Sequence, residues 1–481
     1  MPVNQAGSST AVAQARTAQA HWAHTSLRAR LAILRRARHR IAATAIEVAQ
    51  RVPCEQTGAL HRSVADTLAS EVLPLVEACR FLEREAAWIL APQRLSAHSR
   101  PFWLRRVIAE TLHEPVGVVL ILAPANYPLF LPGVQALQAL AAGNAVLWKP
   151  AAGGTSAAEA LRAALVQSGL DPALLQLLDE SIQAAQDTIA TGVDKVFLTG
   201  SAQTGTAVLC RLAPHLTPAV MELSGCDAVF VLPGADLDRV AAALAFGLRL
   251  NGSATCMAPR RVFLVGENSG LMPKLLQHCK SLPVVPLPAS TQAKLIDLLE
   301  DAERHGATAL LQGTVDALAY AIITDVNPEM LIAQSDLFAP VLCIFEVPNA
   351  EAAVTAHAPC PYALTAAIFG PEAKARELAS KLPLGTVLIN DLIVATADPR
   401  VAFGGRKSSG FGATRGREGL LEMTTLKTVL IQRSRDLRAY QPTTSAHQPF
   451  FAAYLQAAHS GTWRERWQGL CRLVRTAARL D

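Results

Sequence analysis

The stretch KVFLTGSAQTG, residues 195–205, decides the fold. A strand-forming apolar run, Val196 to Leu198, ends at Gly200, and a helical pattern begins near residue 203. Glycines on such a strand-to-helix turn let a ligand approach the backbone, and the helix N-terminus favours a pyrophosphate. It is not a Walker A loop, because Thr206 follows Gly205 where an NTPase needs lysine. Nor is it GxGxxG; GFGATRG at 410–416 has the wrong spacing and no predicted strand ahead of it. Taken alone, the turn is equally well a tight βα connection.

The same strand-then-helix alternation extends outward in both directions. VGVVLIL (116–122) precedes a predicted helix at 130–142, NAVLWKP (144–150) one at 155–169, and AVFVLP (228–233) one at 236–250. This pattern implies βαβ crossovers and a parallel sheet covered on both faces, so its strands read as continuous apolar runs. RRVFLV (260–265), ALTAAIFG (363–370) and GTVLIND (385–391) resume it, predicting a second α/β unit over roughly 226–422. Helical patterns fill 16–95. Residues 1–15 read as a frayed polar leader, and 433–448 as a linker before one terminal helix.

Composition narrows the function. The 481 residues are 51% hydrophobic and 17% charged, enough for two or three domains with full cores. A net charge of +5 without a dominant Lys/Arg block argues against a nucleic-acid partner. Nine cysteines (54, 79, 210, 226, 256, 279, 343, 360 and 471) are scattered singly, which reads as reduced thiols in a cytoplasmic protein and argues against a metal site. Residues 115–148 carry no charge, but Pro124, Pro128, Pro132 and Gly143 punctuate them, so a membrane span is rejected. The arginine-rich N-terminus resembles a transit peptide; LRARLAILRRARHRIA (27–42) is read instead as a basic surface helix.

Four residues could carry chemistry. Cys256, in LNGSATCMAPRRVFLV (250–265), sits among small neighbours that leave a sulfur reachable, although free cysteines are more often small buried hydrophobes. Glu222, in MELSGCD, lies between apolar residues and a flexible Ser-Gly pair, where a carboxyl should have a raised pKa suited to a general base. Asn126, in APANYPL, follows a buried strand and could offer its NH2 to an oxyanion. Lys149 ends the next strand, where open α/β sheets bind ligands.

Together these segments resemble one family, the NAD(P)-dependent aldehyde dehydrogenases. APANYPL resembles the family's PWNFPL, GNAVLWKP its GNxVxxKP, LTGSAQTG its FTGSxxxG and MELSGCD its LELGGK. NGSATCMAPRR resembles GQxCxAxxR, SDLFAP (335–340) resembles EEIFGP, and AFGGRKSSGFG (402–412) resembles PFGGxKxSG. The resemblance implies an aldehyde dehydrogenase-like α/β fold. Its parts would be an NAD(P)-binding Rossmann-like domain (1–97 and 115–225), a catalytic domain (226–422), an oligomerisation arm (98–114 and 423–433) and a linker with a C-terminal helix (434–481). A homodimer or homotetramer is implied.

The resemblance assigns roles: Cys256 attacks the aldehyde as a thiolate, Asn126 and the Cys256 N–H hold the oxyanion, and Glu222 activates water to release the acid. The cofactor, NAD or NADP, would meet Leu122, Pro124, Lys149, Ala152, Gly200, Ser201, Gly205, Asp336 and Phe338. At Ala152 the family often has a carboxylate that rejects the NADP 2′-phosphate, so NADP is expected to be accepted. Ala125, Ser224 and Asp336 depart from the family pattern, and the span from Cys256 to Asp336 is short. Alternatives are a CoA-acylating aldehyde dehydrogenase, which would lack the base Glu222 supplies, and a non-catalytic scaffold. In the tail, Trp463, Trp467, Leu470 and Val474 share a helical face among Arg464, Arg466, Arg472, Arg475 and Arg479. Such a helix can lie on a membrane; docking on its own subunit or a neighbour is the preferred reading.

Overall fold

The alternation of apolar strands and helices builds two sheets. The computed structural model describes residues 5–53, 62–267, 270–435, 437 and 440–478. Cys54 and Arg479 lie outside them. Contacts divide the chain into two units, 1–93 with 111–427 and 94–110 with 428–481.

In the first unit, one sheet of six strands runs in the order Gly410–Phe411, Ala219–Leu223, Lys195–Gly200, Val118–Leu122, Ala145–Lys149, Leu175–Leu177. The last five are parallel, and Gly410–Phe411 closes the edge antiparallel, with Gly410 opposite Glu222. Every residue of Val118–Leu122 is buried, as a strand covered on both faces requires. The charge-free stretch contains the helix Phe130–Ala142, buried all round. Its N-terminus is capped by Glu71, which accepts from Leu129 N (2.7 Å) and Phe130 N (2.8 Å) and pairs with the buried Arg62.

The other sheet has eight strands. Its parallel core runs Ala317–Thr324, Val341–Val347, Pro259–Val265, Asp227–Val231, Thr365–Phe369, Thr386–Ile389, with Val285–Pro286 and Thr308–Gly313 antiparallel on Ala317–Thr324. The switch from the first sheet to the second takes only three residues, Ser224 to Cys226, directly after the strand that bears Glu222.

Two expectations change, those for the leader and the tail, and the basic segment is a helix as expected. The N-terminal leader is not frayed from residue 5 on. A helix, Gln5–His24, buries Val12, Ala15, Ala18 and Trp22, and the Trp22 indole donates to Leu140 O at 2.9 Å. Ala15 and Ala18 carry little hydropathy but let the helix pack closely between Val12 and Trp22. The basic segment is a helix, Leu27–Ala43, burying Leu34, Ala37 and Ile41 together with Arg30. The tail forms two helices rather than one, Gln448–His459 and Trp463–Ala477. Val107–Pro115 and Thr424–Gln432 are strands of one sheet with Gln93–Arg94. Among the described residues no helix is long and apolar enough to cross a membrane.

Candidate active site

Glu222 sits on the Ala219–Leu223 strand and is 2% exposed. One carboxylate oxygen accepts from the Thr414 hydroxyl at 3.1 Å; the other is buried and unpartnered among the described residues. Burial raises its pKa, while Arg415 and the Thr414 hydrogen bond pull the other way. The edge strand holds this arrangement from below. Leu223 N donates to Ser409 O (3.1 Å), and the Ser409 hydroxyl donates to Ser224 O (2.8 Å). Gly410 has φ +96°, and a Cβ there would collide with the Met221 carbonyl, so only glycine lets the strands close.

Cys256 is placed by a turn whose residues Asn251, Gly252 and Ser253 all have positive φ. Three groups hold that turn. Arg260 donates to Ser253 O (2.6 Å) and Ser253 Oγ (2.7 Å), Asn251 Nδ2 to Asn126 O (3.0 Å), and Asn126 Nδ2 to Ala254 O (3.1 Å). Tyr127 Oη and Thr255 Oγ1 bond at 2.8 Å beside the cysteine. An amide nitrogen has two hydrogens. Asn126 therefore keeps one N–H beyond its bond to Ala254, in the wall of a cavity that also contains Cys256. Burial pushes the Cys256 thiol well above its ordinary range. Glu222 and Asp227 add to the push, and Arg415 opposes it.

Cys256 and Glu222 line two cavities at once. One, about 310 Å³, is walled largely by apolar side chains, including Tyr127, Phe130, Leu131, Phe246, Ile393 and Phe403, with Arg415 among them. The other, about 700 Å³, is lined by Pro124, Asn126, Gly200, Ser201, Asp336 and Phe338. A further cavity of about 490 Å³ shares Pro124 and Gly200 with it and runs past Leu122 and Lys149. A cysteine and a carboxylate in the wall shared by a smaller apolar pocket and a larger cavity can pass an acyl group from one ligand while another accepts electrons.

The family model described as the aldehyde dehydrogenase family matches residues 3–429. The chain belongs to the aldehyde dehydrogenase family. It is 31% identical over 385 residues to the 4,4'-diapolycopene aldehyde oxidase of a Methylomonas species, covering 77% of this chain and 72% of that one. It is 33% identical to the NAD benzaldehyde dehydrogenase of Pseudomonas putida, over 65% of this chain and 67% of that one. The NADP-dependent glyceraldehyde-3-phosphate dehydrogenase of Bacillus halodurans C-125, solved with NADP, superposes with a TM-score of 0.81 at 25% identity, covering 90% and 92% of the two chains. This aldehyde dehydrogenase oxidises an aldehyde to the carboxylic acid with NAD or NADP.

The residues of the aldehyde dehydrogenase fit a dinucleotide on their own evidence. Gly200 and Ser201 open the strand-to-helix turn, and Asp336 keeps Oδ1 buried without a partner among the described residues, facing a cavity of dinucleotide size. Two expected positions do not reach these cavities. Gly205 packs against Leu223, where a Cβ would approach to 2.8 Å. Ala152 is exposed on a turn. Beside that turn lies a group the sequence reading missed. Glu180 accepts from Gly153 N (2.8 Å), Thr155 N (3.0 Å) and Thr155 Oγ1 (2.5 Å). The Thr155 hydroxyl and Gly153 amide hold its pKa down, and its charge acts on Lys149.

Arg415 was also missed. Its guanidinium is 4% exposed, stacks on Phe403 at 4.4 Å and donates to Thr396 O at 2.6 Å. Its Nε has no partner among the described residues. It lies inside the GFGATRG segment, which lacks the spacing of a dinucleotide loop and carries Thr414 and Arg415 instead.

Proposed function

We propose that Cys256 is the nucleophile, Glu222 the base and Asn126 the oxyanion donor, and that the substrate is an apolar aldehyde, aromatic or extended. The observation that carries this reading is that Cys256 and Glu222 stand in the wall shared by the apolar and the dinucleotide-sized cavities. Relatives named for benzaldehyde and for a diapolycopene aldehyde agree with an apolar substrate.

The resting thiol is protonated, because burial disfavours the thiolate. Glu222 takes that proton as sulfur bonds to the carbonyl carbon, and the oxyanion is held by Asn126 Nδ2 and the Cys256 N–H. Bound NAD(P)+ supplies the acceptor for the hydride lost as the thiohemiacetal becomes a thioester. Glu222 releases its proton to solvent, then deprotonates the water that hydrolyses the thioester, and the acid leaves. Gly200, Ser201, Asp336 and Phe338 in one cavity, and Leu122, Pro124 and Lys149 in the cavity adjoining it, would hold the cofactor. The parts are read as a cofactor domain, a catalytic domain and an oligomerisation arm, in a cytoplasmic homodimer or homotetramer.

The test is formation of reduced cofactor with a panel of aldehydes, aliphatic, aromatic and carboxylated, each run with and without CoA. Preference for the apolar members supports the reading. Dependence on CoA would replace hydrolysis by acylation, and inertness to the whole panel would leave a scaffold.

A further inference from the structure

The family model ends at residue 429, before the two tail helices. Trp463–Ala477 packs on Gln448–His459 through the buried Gly469, where a Cβ would collide with the backbone of Ala457. Arg466 donates to Ser460 O (2.7 Å) and Arg472 to Gln456 Oε1 (3.2 Å), closing the hairpin. The hairpin does not close through the Trp463, Trp467, Leu470 and Val474 face. Trp463, Trp467, Leu470 and Val474 stay 77%, 56%, 44% and 66% exposed, with the two indoles stacked at 6.0 Å. Arg464 and Arg475, each one residue after a member of this stripe, lie along one side of it and make no hydrogen bond or ion pair among the described residues. Phe102 and Trp103 in the same unit are 66% and 60% exposed, Trp103 lying edge-on against Tyr454 at 5.1 Å.

Charge is segregated in the same way. Residues 94–110 and 428–481 hold twelve arginines, no lysine and four carboxylates, a net charge of +8, although the whole chain carries only +5. The remainder is therefore net −3.

We propose that the C-terminal hairpin is a peripheral anchor, with Trp463–Ala477 lying flat on an anionic lipid bilayer. The indoles, Leu470 and Val474 enter the headgroup boundary, and Arg464 and Arg475 meet lipid phosphates at its edges. A nucleic-acid site would place the arginines at the centre of the face rather than along its margins. A second copy is disfavoured by charge, since it would set one +8 surface against another. The anchor would hold the enzyme where apolar aldehydes partition.

The test is flotation of the full chain with vesicles of phosphatidylcholine alone and of phosphatidylcholine with phosphatidylglycerol. The chain should float with the anionic vesicles, and the bound fraction should fall as salt rises. W463S/W467S should lower binding about tenfold or more, while turnover of a water-soluble aldehyde stays unchanged. R464Q/R475Q, which keeps the indoles, should weaken binding to anionic vesicles alone. Failure of the full chain to float, or equal flotation of the tryptophan variant, overturns the proposal. So does a fall in oligomer mass in that variant by light scattering, because a second copy would then cover the face.

Discussion

Thr414 donates its hydroxyl to one oxygen of Glu222 at 3.1 Å and leaves the other oxygen bare. A buried carboxylate held by one side is oriented and still able to take a proton on the other. Glu222→Gln keeps the size and loses the base. Its expected behaviour is a burst of reduced cofactor followed by turnover at least about a hundredfold slower, with acyl mass on Cys256 in intact-protein spectra. Because burial raises the Glu222 pKa and the base works deprotonated, kcat of the wild type should climb with pH along a limb that the variant lacks. Unchanged steady-state turnover would point to another base.

Cys256→Ser should lose about a thousandfold or more in kcat, since an alcohol is far harder to ionise than a thiol. Cofactor affinity, measured by quenching of intrinsic fluorescence, should stay near wild type, because the dinucleotide-sized cavity is walled mainly by other groups.

Arg415 is the cation that opposes both Glu222 and Cys256 in their upward shifts. In Arg415→Leu both groups should titrate at higher pH. The pH profile of iodoacetamide alkylation of Cys256 and the ascending limb of kcat should therefore move up together, and Arg415→Lys should restore most of the shift. A lower melting temperature without movement of either profile would reduce Arg415 to a packing role.

Asp227 accepts from Thr365 N (3.1 Å) and Thr365 Oγ1 (2.6 Å) where the chain passes between the sheets. Burial lifts its pKa from 3.8 to about 7. A raised folded-state pKa favours the fold fully below 3.8, and that contribution is lost as pH rises to about 7. Asp227→Asn should therefore gain on the wild type across that window, by about 1.4 kcal/mol per pH unit at most, read as melting temperature against pH. A constant offset between the two curves would show that Asp227 does not titrate there.

Cofactor choice rests on Glu180 as much as on residue 152. Ala152 leaves no charge of its own, but the Glu180 carboxylate is fixed on the same turn and acts on Lys149. Glu180→Gln should shift the ratio of kcat/KM for NADP over NAD upward by about tenfold, worth about 1.4 kcal/mol, and Ala152→Glu should shift it downward. If neither changes the ratio, this turn does not face the adenosine ribose.

The sequence made the strands legible because a parallel sheet buried on both faces writes itself as unbroken apolar runs. Cys256, Glu222 and Asn126 were found through segments whose order matches a family. What stayed hidden depends on contacts between distant segments. Thr414 reaches Glu222 across 192 positions and Arg415 acts on its charge, and nothing local to them signals a catalytic neighbour. Glu180 caps a turn on another strand's loop, so the empty charge at Ala152 looked uncompensated. The start of the helix Gln5–His24, before residue 16, stayed hidden because residues 5–15 are mostly small or polar and Val12 is their one large apolar side chain.

The antiparallel strand beside Glu222 has a consequence for how the protein is made. The ribosome releases Ala219–Leu223 long before Gly410–Phe411 exists, and at ordinary elongation rates the gap lasts on the order of ten to forty seconds. Through that interval the strand bearing Glu222 is an open edge with Val220, Met221 and Leu223 in it, a template for pairing with another nascent chain. Anything that stalls translation between these points, synonymous codons included, lengthens the exposure. The yield of soluble enzyme should then depend on chaperones that cover an unfinished edge, in a way no measurement on the mature protein would reveal.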